Sequence, residues 1–201
     1  MTKIQRAILS CYDKTGIVEL AEVLHEFGVE IICTTGTLAT LREADVPALS
    51  IGEFTGIEEL LSGRVKSLHP KIHAGLLGIR DNKVHAEQMQ AHDYSWIDLV
   101  VVNLHPLDTL ARTPGITVEE VIDQTDIGGT AMIRSAAKNF RYVTVAVNPQ
   151  SYPTIIHEMR AHDGAVSFPA RYRFAKDAFA CTASYDQWIA EYLGDSEPPE
   201  D

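Results

Sequence analysis

Cysteine is scarce. Cys11, Cys33 and Cys181 lie far apart, are odd in number and form no C-x-x-C pair. That excludes a disulfide framework and a cysteine-type structural zinc, and fits a reducing compartment. Long apolar runs are missing as well. None reaches the roughly 18 residues that a spanning helix needs, and no secretory pattern opens the chain, so a cytoplasmic protein without membrane contact is expected. Positive charge is in deficit: 17 Lys and Arg face 28 Asp and Glu, a formal charge of −11. A general nucleic-acid binder would show a basic balance, and this chain does not. G-x-x-x-x-G-K-[ST], H-E-x-x-H, a nucleophile elbow and a dinucleotide fingerprint are all absent. No nucleoside triphosphate, metal or redox cofactor is therefore expected.

What is present is enough apolar residue, 45% of 201 positions, to bury one full core. Residues 4–11 read as a buried strand, 17–27 as an amphipathic helix ended by Gly28, and 29–33 as a second strand before a helix at 38–44. That alternation is the grammar of a parallel sheet covered by helices. Further on, 48–51 reads as a short strand, 54–61 as a short helix, 74–79 as a strand and 84–92 as a polar helix. The β-branched run 97–104 suits the centre of a sheet. Thr117 and Glu120 form a capping-box pattern for a helix at 117–124. Gly128-Gly129 precedes a helix expected at 130–139, 142–147 a last strand, and helices near 150–162 and 168–193 finish the chain. The expectation is a single α/β domain over 1–194, with a mostly parallel sheet flanked by helices and a helical C-terminal extension. An acidic, proline-containing tail, 195–201, is expected to be disordered.

In this acidic chain one stretch stands out. Residues 63–75 (GRVKSLHPKIHAG) hold Arg64, Lys66, Lys71, His69 and His73 between glycines. Such a cluster is costly to assemble unless an anion sits in it; the simpler alternative is a solvated basic loop. Two upstream turns also suit an anion. Thr34-Thr35-Gly36-Thr37 offers hydroxyls and N–H groups at a helix start, a natural monophosphate site, and Lys14 in the neighbouring turn adds a point charge. Each turn alone could equally be ordinary turn and cap chemistry. Asn103 ends the central strand, His105 follows, and Asp126 precedes the Gly-Gly turn and the helix that carries Lys138. These residues point to a small phosphorylated substrate and general acid–base chemistry.

The motifs DKTG (13–16), 63–75, VVVN-L-x-P (100–106), DIGG-x-x-M-x-RSAAKN (126–139) and AF-x-x-TA-x-YD (178–186) resemble the IMP cyclohydrolase domain of the bifunctional AICAR transformylase/IMP cyclohydrolase family. The similarity runs from about residue 4 to 193. It implies the methylglyoxal-synthase-like α/β fold and closure of 5-formamidoimidazole-4-carboxamide ribotide (FAICAR) to IMP. It implies no cofactor and no metal, a homodimer, and, since the transformylase domain is missing here, a separate AICAR transformylase in the pathway. The acidic ending reads as a natural terminus, so a stand-alone cyclohydrolase is expected.

By position, the resemblance places Lys66 and Lys138 at the reacting groups, with Asp126 orienting or exchanging protons and His105 beside them. The phosphate would lie on Lys14 and Thr34 to Thr37, with Tyr12 and Asp13 at the same turn. Arg64, Val65, Ser67, Val102, Asn103, Ile127 and Gly128 would hold the base and ribose. Four positions depart from the family pattern: tyrosine is usual where His105 stands, serine at Tyr12, glycine at Thr35 and histidine at Cys181. A threonine at 35 would be strained if that position needed a positive φ. Two further readings follow from these departures and from the fold. One is a relative closing a different ribotide heterocycle, and the other a nucleotide-binding regulatory domain without turnover.

Overall fold

The computed structural model describes residues 3–197. Among these residues five parallel strands form one sheet: β1 (Arg6–Cys11), β2 (Glu30–Cys33), β3 (Leu49–Ser50), β4 (Leu99–Asn103) and β5 (Thr144–Ala146). Their order is β3-β2-β1-β4-β5. The chain steps outward one way from β1 and then crosses over to build β4 and β5 on its other side. The helices between are α1 (Ile17–Glu26), α2 (Thr35–Glu43), α3 (Ile51–Thr55), α4 (Pro70–Leu77) and α5 (Lys83–Ala91). After β4 come α6 (Leu107–Leu110), α7 (Val118–Asp123), α8 (Ile127–Lys138), α9 (Tyr152–Ala161) and the long α10 (Phe168–Asp195). This is the parallel α/β sheet with a helical C-terminal extension that the alternating pattern predicts. No described helix is long and apolar enough to cross a membrane.

Burial explains the strands. All five residues of β4 are buried, as a central parallel strand covered on both faces requires. β1 pairs with β2 on one side and with β4 on the other, with Ser10 opposite Val102 and Cys11 opposite Asn103. Helix α1 turns Ile17, Leu20, Ala21 and Leu24 into the core. Helix α8 lies on β4 and β5 and against α4 and α10. At the sheet's amino edge the buried Asp98 accepts from the Gln5 and Arg6 N–H groups at 2.8 and 2.9 Å and pairs with Arg80 at 2.6 Å.

Four elements differ from the sequence expectation; the helix expected at 38–44 starts at Thr35, so Thr35 to Thr37 form its first turn. Residues 74–79 are not a strand, because Pro70 occupies the first turn of α4 and His69 caps it, its Nδ1 accepting from Lys71 N at 3.1 Å. Ile72 and Leu76, one turn apart, then bury one helical face. The helix expected at 54–61 starts earlier, with a capping box between Ser50 and Glu53, and stops at Gly56, whose φ is 80°. The helix expected at 130–139 begins at Ile127, because Asp126 caps it and both glycines are helical. The capping box of Thr117 and Glu120 is formed as expected. Of the tail expected over 195–201, Asp195 closes α10, and 198–201 lie outside the described residues.

Gly75 marks where α4 meets the chain entering β4. A Cβ there would stand 2.6 Å from the Ser95 carbonyl oxygen and 2.9 Å from Ile97 Cδ1, and backbone cannot yield cheaply. Gly75→Ala is therefore expected to destabilise the protein by about 1–3 kcal/mol, read as a lower denaturation midpoint at unchanged slope.

Candidate functional site

The order in which strands are added reverses between β1 and β4, and the crevice beyond their carboxyl ends is where ligands of such sheets bind. The Asn103 side chain closes that end. Its Oδ1 accepts from Asp13 N at 2.7 Å and its Nδ2 donates to Asp13 O at 3.0 Å, while its carbonyl accepts from Tyr12 N at 3.3 Å. Nδ2 also reaches the Tyr152 hydroxyl at 3.5 Å. With its amide so engaged, Asn103 shapes the turn. The Asp13 carboxylate accepts from Thr15 N at 2.9 Å, and the Thr15 hydroxyl first, with this backbone N–H second, holds its carboxyl below the ordinary range.

The same turn puts Lys14 over the start of α2. Its Nζ donates to the Cys11 and Tyr12 carbonyls, and it lies 3.9 Å from where a Cβ on Gly36 would be. No side chain caps α2, since Thr34 Oγ1 donates instead to Ser10 Oγ at 3.2 Å. Uncapped N–H groups at a helix start beside an ammonium form an anion cradle. Thr35 and Gly36 are exposed there, whereas Thr37 is fully buried and its Oγ1 accepts from Cys11 N at 3.0 Å. Thr35 is an ordinary helical residue and not among the positive-φ positions, so the threonine brings no backbone strain.

Across the crevice stands the start of α8. Asp126 Oδ1 accepts from Gly129 N at 2.6 Å, and the Asp126 N–H donates to the Tyr185 hydroxyl on α10 at 3.0 Å. The 63–67 segment rests on this helix start. Leu60 and Val65 bridge across a tight turn in which Leu61, Ser62 and Gly63 all have positive φ. Buried Ser67 then fills the space beside Gly128, where any Cβ would collide with its Oγ. Lys66 is left exposed, Arg64 pairs with Asp123 of α7, and Ile127 is 58% exposed.

His105 joins the two walls. Its ring meets that of Tyr12 edge-on at 4.3 Å, and its Nδ1 is buried without a partner. Burial pushes the imidazole below its ordinary pKa, and the nearby charge of Asp126 opposes that shift. A concavity of about 750 Å³ opens beside it, lined by Leu110, Ile116, Glu119 and Asp123 among others. Among the described residues, no group of three His, Cys, Asp or Glu side chains is arranged to hold a metal ion.

Two expected site residues are elsewhere. Val102 is fully buried inside β4, so its side chain cannot line a ligand site. Lys138 is the last residue of α8, about 16 Å along the axis from Ile127 at 1.5 Å per residue. One chain therefore does not bring Lys138 to Asp126. The sequence reading missed Tyr185. It falls within the 178–186 motif, but only the fold joins it to Asp126, 59 residues away.

The MGS-like domain family matches residues 16–131, and the AICARFT/IMPCHase bienzyme family matches residues 136–201. Among curated relatives, the bifunctional purine biosynthesis protein PurH of Neisseria meningitidis is 47% identical over 193 residues, 96% of this chain and 36% of that protein. The PurH of Listeria welshimeri is 51% identical over 190 residues, 94% of this chain and 37% of that protein. The chain thus spans little more than a third of the curated relatives it matches. The crystal structure of ForH superposes with a TM-score of 0.85 at 31% identity, covering 94% of this chain and 97% of that one. Matched by that family over more than half its length, and carrying the parallel sheet flanked by helices, the chain belongs to the MGS-like domain family.

Proposed function

We propose that this protein is an IMP cyclohydrolase, closing FAICAR to IMP with loss of water, and that residues 1–194 form its catalytic domain. One observation carries the reading: an anion cradle at Lys14 and α2 faces, across the β1/β4 crevice, a reaction wall made of Asp126, the Lys66 loop and His105. Similarity to PurH over nearly the whole chain supports it. The substrate phosphate sits on Lys14, Thr35 and Gly36. Tyr12 and Ile127, both exposed, flank the heterocycle.

An amide nitrogen is a weak nucleophile, so the site must hold the carboxamide against the formyl carbon and move protons. The nitrogen attacks, a C–N bond forms, and negative charge develops on the formyl oxygen, where the Lys66 ammonium stabilises it. Asp126 keeps one carboxylate oxygen on Gly129 N, and its second has no hydrogen bond among the described residues. That second oxygen takes the proton from the attacking nitrogen. The formyl oxygen takes up a proton and leaves as water with the hydrogen of the formamido nitrogen, which restores the aromatic ring. Lys138 enters from a second copy of the chain, so the working unit is a homodimer. A transformylase activity supplies the substrate.

The Tyr12–His105 contact favours a second reading, closure of a different ribotide heterocycle, because a phenol–imidazole pair there reshapes the wall that a base would meet.

FAICAR mixed with the purified protein should give IMP, followed by ultraviolet absorbance, and Lys66→Ala should lower kcat by about 10²-fold or more. Tight binding without closure would sink the cyclohydrolase reading and leave the other heterocycle or a regulatory domain. Because burial lowers the His105 pKa, any acid limb of kcat/KM that this imidazole sets should lie below the range of an ordinary histidine. His105→Asn should lose that acid limb; a limb unchanged in the variant assigns it to another group. If Lys138 crosses between copies, Asp126→Asn and Lys138→Ala, each inactive alone, should recover about a quarter of wild-type activity after mixing and subunit exchange. No recovery would place both residues in one chain's site or leave Lys138 outside it.

A further inference from the structure

Both histidines of the 63–75 motif lack a role in the chemistry above. His69 is accounted for as the cap of α4. His73 is not. Its Nδ1 shares a 3.0 Å hydrogen bond with Ser135 Oγ on α8, while its Nε2 is buried with no partner. Burial pushes its pKa below the ordinary imidazole value, and the Ser67 carbonyl opposes that shift. A buried ring with one nitrogen unpartnered is a poor way to stabilise two packed helices, since a leucine would bury there without an unpaired polar atom. What the imidazole adds is direction.

The position of its partner is informative. Ser135 lies seven residues after Gly128, two helical turns and about 10 Å along α8, and so on nearly the same face. Gly128 is where Ser67 seats. The segment from Ser67 to His73 is thus tied to α8 at both ends, by close approach at Gly128 and by the His73–Ser135 bond two turns on. Lys66 immediately precedes the first tie. Helix α4 also packs on α8, and Asn139 donates to the Leu76 and Gly78 carbonyls at its far end, so the His73–Ser135 bond is the directed tie nearest the Ser67 end of that contact.

We propose that His73 is a positioning residue: through Ser135 it sets the register of the Ser67–His73 segment along α8 and so holds Lys66 over Asp126. The proposal rests on the cyclohydrolase reading for its kinetic consequence, but not for its structural one. A displacement of about 1 Å at a reacting group can cost up to 10²-fold in rate.

The test uses His73→Leu, Ser135→Ala, their double variant and His73→Asn in the full chain. Ring closure and amide hydrogen exchange over residues 64–68 are both measured. His73→Leu and Ser135→Ala should each lower kcat about tenfold with KM within about twofold, and the double variant should fall no further than the worse single one. Exchange at 64–68 should quicken in all three, with β1 and β4 unchanged. His73→Asn, whose amide can still reach Ser135, should keep most of the activity and protection. Wild-type kcat in His73→Leu, additive losses, or slower closure without faster exchange would each overturn the proposal. If His73→Leu does not fold, Ser135→Ala and His73→Asn decide the matter alone. If wild type fails to close FAICAR yet exchange responds as described, the cyclohydrolase reading fails and the tie stands.

Discussion

The hydrogen bonds between the Asn103 amide and the Asp13 peptide are the constraint on which the site depends. Parallel strands align their carboxyl ends but leave the turns beyond them free to splay. At the β1/β4 switch the connections leave in opposite directions, so nothing in the sheet itself holds the two turns together. A buried side chain that both donates to and accepts from the opposite turn does so. From that pair follow the direction of Lys14 toward α2, the position of Tyr12, and the edge contact by which Tyr12 meets His105. An aspartate at 103 could accept from Asp13 N but would repel its carbonyl, so the amide is suited to both bonds.

The protein concentrates positive charge where the rest of its surface is negative. A formal charge of −11 would repel a phosphorylated ligand at long range, and salt screens that field beyond about 10 Å. Close to the crevice the local partners dominate: an ammonium, the uncapped N–H groups of α2 and the exposed Lys66. Thr34 leaves α2 uncapped because its hydroxyl turns to Ser10. That costs the helix a cap and leaves its first N–H groups open to a ligand. Asp126, by contrast, caps α8 with one carboxylate oxygen, while its other oxygen has no hydrogen bond among the described residues.

Much of this was legible from residue order alone. The β-branched run of β4, the apolar period of α1 and the capping box of α7 are local patterns with local causes, and they form where they are read. The cationic motif, the 34–37 turn and Asp126 were identifiable because side chains of one chemistry cluster within a few positions. Errors arose where local signals compete. Residues 74–79 look apolar enough for a strand, yet Pro70 and His69 start a helix that runs through them. The glycines at 128 and 129 look like punctuation, yet the Asp126 cap draws them into α8, and with them Lys138 recedes to the far end.

Sequence by itself determined the class of fold and the kinds of side chain that could meet an anionic ligand, because strand and helix periodicity and turn chemistry are properties of neighbouring residues. Tertiary structure decided which of those side chains are free. Asn103, Thr37 and Val102 carry plausible chemistry in the sequence and are committed to the scaffold in the fold. Tyr185, His73 and Ser135 lie within the sequence motifs, but only the fold gives them their partners, Asp126 for Tyr185 and each other for His73 and Ser135. The reason is physical: a hydrogen bond or a buried face depends on what stands opposite, and for Asp126 and Tyr185 that partner is 59 residues along the chain.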